Sequence, residues 1–145
     1  NEGMVAISYN KNVSQSQRDL TESFFNAVGS TMVCDENQLD LVTGISGSGP
    51  AFLYRLADNI ASLGKSKGMN YNDALTLIAQ TMIGAGKMLI ETKKQPDQLI
   101  KEVSSPNGTT VAGLATFDKT SIDDDIKHVI LSAVERSIEL SRNAS

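Results

Sequence analysis

Apolar positions follow two different rhythms along this chain. Near the start, Met4 to Tyr9 is a short run of apolar and β-branched residues that ends at Asn10-Lys11-Asn12, which predicts a strand. The next segment, SQSQRDLTESFFNAVG, changes to helical spacing. Ser14 with Gln17 three residues on forms a capping-box pattern. Leu20, Phe24, Ala27 and Val28 share one face, and Gly29 reads as a stop. Thr31 to Cys34 predicts a second strand. Residues 1–36 therefore read as strand–helix–strand. Two strands and one helix cannot bury both faces of a sheet, so this stretch is expected to extend a larger one.

Residues 37–145 read as helices throughout. A short apolar turn starts at Leu39 and meets a small-residue break, Gly44 to Gly49, with Pro50 placed for the first turn of a new helix. Phe52, Leu53, Leu56, Ile60 and Leu63 form a helical stripe that stops near Gly68. Asn70 caps the next helix, Asp73 sits in its first turn, and Leu75, Ile78, Met82, Ala85 and Leu89 line one face. Gly84-Ala85-Gly86 interrupts that helix at a cost of about 1 kcal/mol per glycine, which points to close approach of another backbone. Pro96 opens a short helix, another runs from about Thr109 to Phe117, and the last starts near Ser121 with Asp123 to Asp125 in its first turn. Its inner stripe is Ile126, Val129, Ile130, Ala133, Val134, Ser137 and Ile138.

The chain has 145 residues, 40% hydrophobic and 21% charged, enough for one domain, or one domain and part of another. A net charge of −4 argues against long-range attraction to nucleic acid or anionic lipid. The single cysteine excludes an internal disulfide and favours a reducing, cytoplasmic setting. The longest apolar candidate, Ala74 to Ile90, is broken by Thr76, Gln80, Thr81 and Lys87, so no membrane span is expected. No signal peptide is visible. Asn1-Glu2-Gly3 runs straight into a strand pattern without an initiator Met, and the chain is expected to begin partway through a longer gene product.

Residues able to carry chemistry are few. His128 is the only histidine and lies just off an apolar stripe, as a helix-flank residue would. Cys34 falls in a strand-like run with no histidine nearby in sequence and reads as packed. Asp123 to Asp125 suits the positive end of a helix better than a cation site. No metal site or nucleophilic triad is expected. GISGSGPAF resembles a nucleotide loop only in part: Phe52 stands where a dinucleotide fingerprint needs its third glycine, and no strand of useful length precedes it. It reads either as a helix–helix corner or as a functional backbone turn. EVSSPNGTTVAGL is the stronger candidate. Pro106-Asn107-Gly108 is a turn signal, with Gly108 free to take positive φ. Thr109 or Thr110 then starts a helix whose first N–H groups lack intrahelical partners, a natural carboxylate or phosphate site. An ordinary N-cap is the alternative, and the surplus of small polar residues tips the reading toward a ligand.

LDLVTGISGSGPAF, TMIGAGKML and QLIKEVSSPNGTTVAGL, in this order and spacing, resemble pyrroline-5-carboxylate reductase over essentially the whole chain. The resemblance implies a mainly α fold: an all-helical dimerisation domain of the 6-phosphogluconate dehydrogenase C-terminal type, residues 37–145, preceded by the last strand–helix–strand of a Rossmann-type domain, residues 1–36. It implies NAD(P)H-dependent reduction of 1-pyrroline-5-carboxylate to L-proline by a homodimer or higher homo-oligomer, without metal. The dinucleotide fingerprint is absent from these residues, so the chain alone is expected to be inactive. It further implies that Ser105, Asn107, Gly108, Thr109 and Thr110 surround the substrate. Amides at the helix start would hold its carboxylate, and the Thr110 hydroxyl would meet the ring nitrogen as the catalytic contact. Ser46, Gly47, Ser48, Gly49 and Pro50 would lie by the nicotinamide and the substrate. The family usually has Gly-Gly after the proline, where this chain has Asn107-Gly108. Two alternatives stand beside this reading. One is a helical oligomerisation module with no substrate site; the other is a related β-hydroxyacid-dehydrogenase-like helical domain.

Overall fold

A computed structural model describes residues 2–143. In chain order these form β1 (Gly3–Ile7), α1 (Gln15–Asn26), β2 (Gly29–Val33), a 3₁₀ turn (Glu36–Gln38), α2 (Leu39–Val42), a π turn (Thr43–Gly47), α3 (Gly49–Ser66), α4 (Tyr71–Thr92), α5 (Pro96–Glu102), α6 (Thr109–Phe117) and α7 (Ile122–Asn143). The mainly helical class and the leading strand–helix–strand agree with the sequence pattern. The described residues form two compact units, one of residues 2–50 with 126–143 and one of residues 51–125.

In the first unit, β1 and β2 pair in parallel, from Gly3 opposite Gly29 to Ile7 opposite Val33. Both strands sit two residues earlier than the pattern suggested at one end. Tyr9 leaves the strand because its ring turns to α1. Its hydroxyl points at the Arg18 carbonyl (3.3 Å), and the Arg18 guanidinium lies 4.9 Å from the ring centroid. Gly29 opens β2 instead of ending α1, since any Cβ there would collide with the Gly3 backbone. The Ser14 capping box is formed: Gln17 N–H donates to Ser14 Oγ, and the Gln17 side chain accepts from Ser14 N–H at 2.9 Å.

The expected small-residue break at Gly44–Gly49 does interrupt the α-helix, with α3 starting at Gly49 and Pro50 in its first turn, but as a π turn (Thr43–Gly47) rather than a loop. The backbone stays helical but widens by one residue, with Ser48 N–H donating to Thr43 O five positions back at 2.8 Å. Gly44 is buried because α7 lies against it: a Cβ at that position would meet Val134 Cγ2 at 2.5 Å and the Ile130 carbonyl at 3.2 Å.

In the second unit, α3 and α4 cross through small residues. Ala57, Ala61 and Ala74 are buried, and a Cβ on Gly64 would lie 2.8 Å from that of Ala74. Gly68, at φ +92°, ends the connection, and the Asn70 side chain accepts from Asn72 N–H and Asp73 N–H to start α4. Tyr71 donates its hydroxyl to Asp58 Oδ1 at 2.7 Å across the same crossing. Gly84 and Gly86 have nothing within 4 Å of where a Cβ would stand, so the backbone approach they suggested is not made among the described residues of their unit.

Much apolar surface is left uncovered. Leu20 and Phe24 on α1 are each 72% exposed, and Ile90 on α4 is 77% exposed. The accessible surface is 11,229 Å² for 15.5 kDa. A compact chain of that mass exposes about 7,200 Å², and two separate bodies of half the mass about 8,700 Å². The excess is therefore internal to the units and calls for a partner surface.

Candidate functional site

The loop between α5 and α6 is built by local bonds. Lys94 Nζ pairs with Glu102 Oε1 at 2.5 Å, which ties the end of α5 to the segment that enters it. Ser104 Oγ turns back to the Ile100 carbonyl at 2.6 Å. A tight turn follows, closed by Gly108 N–H on Ser105 O at 2.9 Å. Pro106 takes its second position, where a fixed φ is favourable, and Asn107 its third with φ 59°.

This corrects the expectation for Gly108. Gly108 is the N-cap of α6 in extended geometry, φ −76° and ψ 168°, and Asn107 carries the left-handed conformation instead. The reason is turn chemistry: proline at the second position of such a turn places the positive φ on the residue after it. Gly108 is needed for another purpose. A Cβ there would collide with Ser105 Oγ and lie 2.9 Å from the Ser105 carbonyl oxygen.

The geometry at the start of α6 follows. The first helical bond runs from Ala112 N–H to Gly108 O at 3.2 Å. The amides of Thr109, Thr110 and Val111 lie ahead of it, and no side chain caps them, because the cap residue is a glycine. By contrast, α1 and α4 are closed by side chains of Ser14 and Asn70. The first turn of α6 holds no acidic residue. Its open amides and the helix dipole together favour an anion. Thr110 is half-buried, and Ser105 and Thr109 are exposed. Ser105, Asn107, Gly108, Thr109 and Thr110 thus share one turn and one helix end.

The second predicted group lies in the other unit. Ser46 and Gly47 are on the π turn, Ser48 closes it, and Gly49 and Pro50 open α3. This is not a pyrophosphate cradle: α2, not a strand, leads into it, and the Ser48 amide is already bonded to Thr43 O.

The remaining candidates take structural places. His128 is exposed on α7. Cys34 follows β2, with its N–H on Ile7 O at 3.0 Å. Asp125 accepts from Ser121 Oγ at 2.7 Å in the first turn of α7. Among the described residues, no three His, Cys, Asp or Glu side chains gather as metal ligands, and no helix is long and apolar enough to cross a membrane. One feature escaped the sequence reading. An open cleft of about 430 Å³ lies at the carboxyl ends of β1 and β2, lined by Ser8, Tyr9, Arg18, Cys34, Asp35 and Gln38 among others. Burial and the neighbouring Glu22 carboxylate raise the Tyr9 phenol above its ordinary value. The strand–helix–strand order, whose two strands pair in parallel, is the sequence signal that leads to that edge.

Residues 36–140 match the family described as pyrroline-5-carboxylate reductase dimerisation. Pyrroline-5-carboxylate reductase 1 of Bacillus spizizenii is 40% identical over 136 residues, 94% of this chain and 46% of that protein. A solved structure of a pyrroline-5-carboxylate reductase from Coxiella burnetii superposes with a TM-score of 0.87 at 29% identity, covering 93% of this chain and 50% of that one. The Plasmodium falciparum pyrroline carboxylate reductase, solved with NADP bound, gives 0.79 at 28% identity over 91% and 54%. The chain spans about half the length of the curated relatives it matches.

Proposed function

Given that this chain belongs to the pyrroline-5-carboxylate reductase family, we propose that it serves as the dimerising, substrate-holding part of such a reductase, acting on 1-pyrroline-5-carboxylate to give L-proline. Residues 37–145 form that part, and residues 1–36 close the sheet of an NAD(P)-binding domain that precedes it. The observation that carries this reading is the start of α6, where three amides face outward behind a glycine cap. A small carboxylate is held there by amide hydrogen bonds and the helix dipole. Ser105 and Thr109 add hydroxyls around it, and the Asn107 turn keeps the amides aligned. The Thr110 hydroxyl hydrogen-bonds the ring nitrogen, a polar partner for an atom whose charge changes as the C=N bond becomes C–N. NAD(P)H, when bound by the preceding domain, supplies the hydride. Ser46, Gly47, Ser48, Gly49 and Pro50 are assigned to the nicotinamide side. No metal enters this scheme, and a cytoplasmic location suits it.

The exposed apolar faces of α4 and α7 support homodimerisation or higher assembly. A pure oligomerisation module would share those faces but would not need open amides at α6. Calorimetric titration with L-proline and with pyrrolidine, which lacks the carboxylate, separates the two. Binding of proline alone is expected. Equal silence toward both, in a chain that still assembles, would leave only the oligomerisation module.

A further inference from the structure

A hydrogen bond joins residues far apart in sequence within the first unit. Ser137 Oγ, on α7, donates to Asp40 Oδ1, on α2, at 2.6 Å, and both side chains are half-buried. One helical turn further along the chain, buried Gly44 packs against Val134 Cγ2 and the Ile130 carbonyl of the same helix. A polar and an apolar contact thus hold α2 and the π turn against one face of α7. Thr43 uses its hydroxyl locally, donating to Leu39 O at 2.9 Å. The turn itself is a one-residue widening that the backbone alone would relax to α-helix, so it persists only where its surroundings over-determine it. Asp40 accepts the Ser137 hydroxyl, which suits it to holding the turn.

We propose that Asp40 and Ser137 are positioning residues: through their hydrogen bond, aided by Gly44 against Val134, α7 fixes the π turn that presents Ser46 to Pro50. This rests on the assignment of that turn to the nicotinamide side. Because Ser48 N–H closes the turn, its hydrogen exchange reports the clamp directly, and turnover of the full-length reductase reports the consequence.

Ser137→Ala removes one hydroxyl and should speed exchange of the Ser48 amide about tenfold, with α4 amides unchanged. Asp40→Ala should do the same, whereas Asp40→Asn, which still accepts from Ser137, should stay near wild type. Gly44→Ala should also loosen the turn, and adding Val134→Ala to that variant should partly restore it by making room for the new methyl group. In the full-length reductase, Ser137→Ala should lower kcat by about 10- to 100-fold with KM for the imine little changed. Unchanged Ser48 exchange, or faster exchange spread over both units, would overturn the clamp. Faster local exchange with unchanged kcat would keep the clamp but overturn both the nicotinamide assignment and the positioning role.

Discussion

Ser105 and Gly108 are locked together from both ends of one turn. The Ser105 carbonyl accepts the Gly108 amide at 2.9 Å, and the Ser105 hydroxyl fills the space a side chain at 108 would need. Gly108→Ala must therefore displace Ser105 or open the turn. A loss of about 1–3 kcal/mol is expected by denaturant unfolding, as for overpacking elsewhere. Proline binding should fall with it. A variant with wild-type stability and binding would show that the turn has slack that its geometry does not suggest.

Asn107 supports the same turn through its backbone. At φ 59° it occupies a conformation that costs most side chains about 1–2 kcal/mol, with Asn and Gly the tolerated exceptions. Asn107→Gly should leave thermal stability nearly unchanged. Asn107→Ala should destabilise by about 1 kcal/mol. If Ala and Gly behave alike, the left-handed conformation is not what selects this residue.

Gly84 and Gly86 give a test of assembly that separates the chain from its complex. Neither has a neighbour that a side chain would strike among the described residues of its unit. Gly84→Leu should thus favour the helix itself by about 1 kcal/mol. It should nonetheless weaken the dimer if a partner backbone approaches there. Light scattering at micromolar concentration should show wild type as a dimer or larger and the variant shifted toward monomer. A wild-type monomer, or a variant that assembles undiminished, would remove these glycines from the interface.

Tyr71 makes the α3–α4 crossing sensitive to alkali. The hydrogen bond to Asp58, then burial, then the charge of Asp58 raise its phenol above the ordinary value of about 10. A pKa raised in the folded state means the stabilisation is complete below the unfolded value and is lost as pH climbs through the folded one. Unfolding midpoints should therefore fall with rising pH above about 10. Tyr71→Phe should remove that part of the slope, which a comparison of the two pH profiles would reveal.

Much of this was legible in the sequence because it is local. The capping residues Ser14 and Asn70, the starts of α5 at Pro96 and α6 at Thr109, and the acidic first turn of α7 all rest on neighbours within a few positions. What failed was mostly non-local. A run of glycines and serines reads as a break before a helix opened by Pro50, which it is, but its π-turn form and the packing of α7 on Gly44 leave no local trace. The Asp40–Ser137 bond joins segments 97 positions apart and leaves no periodic trace. The exchange of roles between Asn107 and Gly108 is different. Both residues tolerate positive φ, and only the position of Pro106 in the turn decides between them. The stripe of Leu20 and Phe24 was correctly placed on one face, but both side chains stay largely uncovered among the described residues.

Thr110 carries the most direct test of the ligand site at the start of α6. Thr110→Val keeps the shape and removes the hydroxyl. In the full-length reductase it should reduce kcat/KM by about 10²–10³-fold, the usual effect of losing one transition-state hydrogen bond. The melting temperature and NAD(P)H affinity should stay near wild type. If turnover is instead intact and stability drops by about 1 kcal/mol, as for a residue that only caps or packs, then α6 begins with an ordinary helix end and the substrate is held elsewhere.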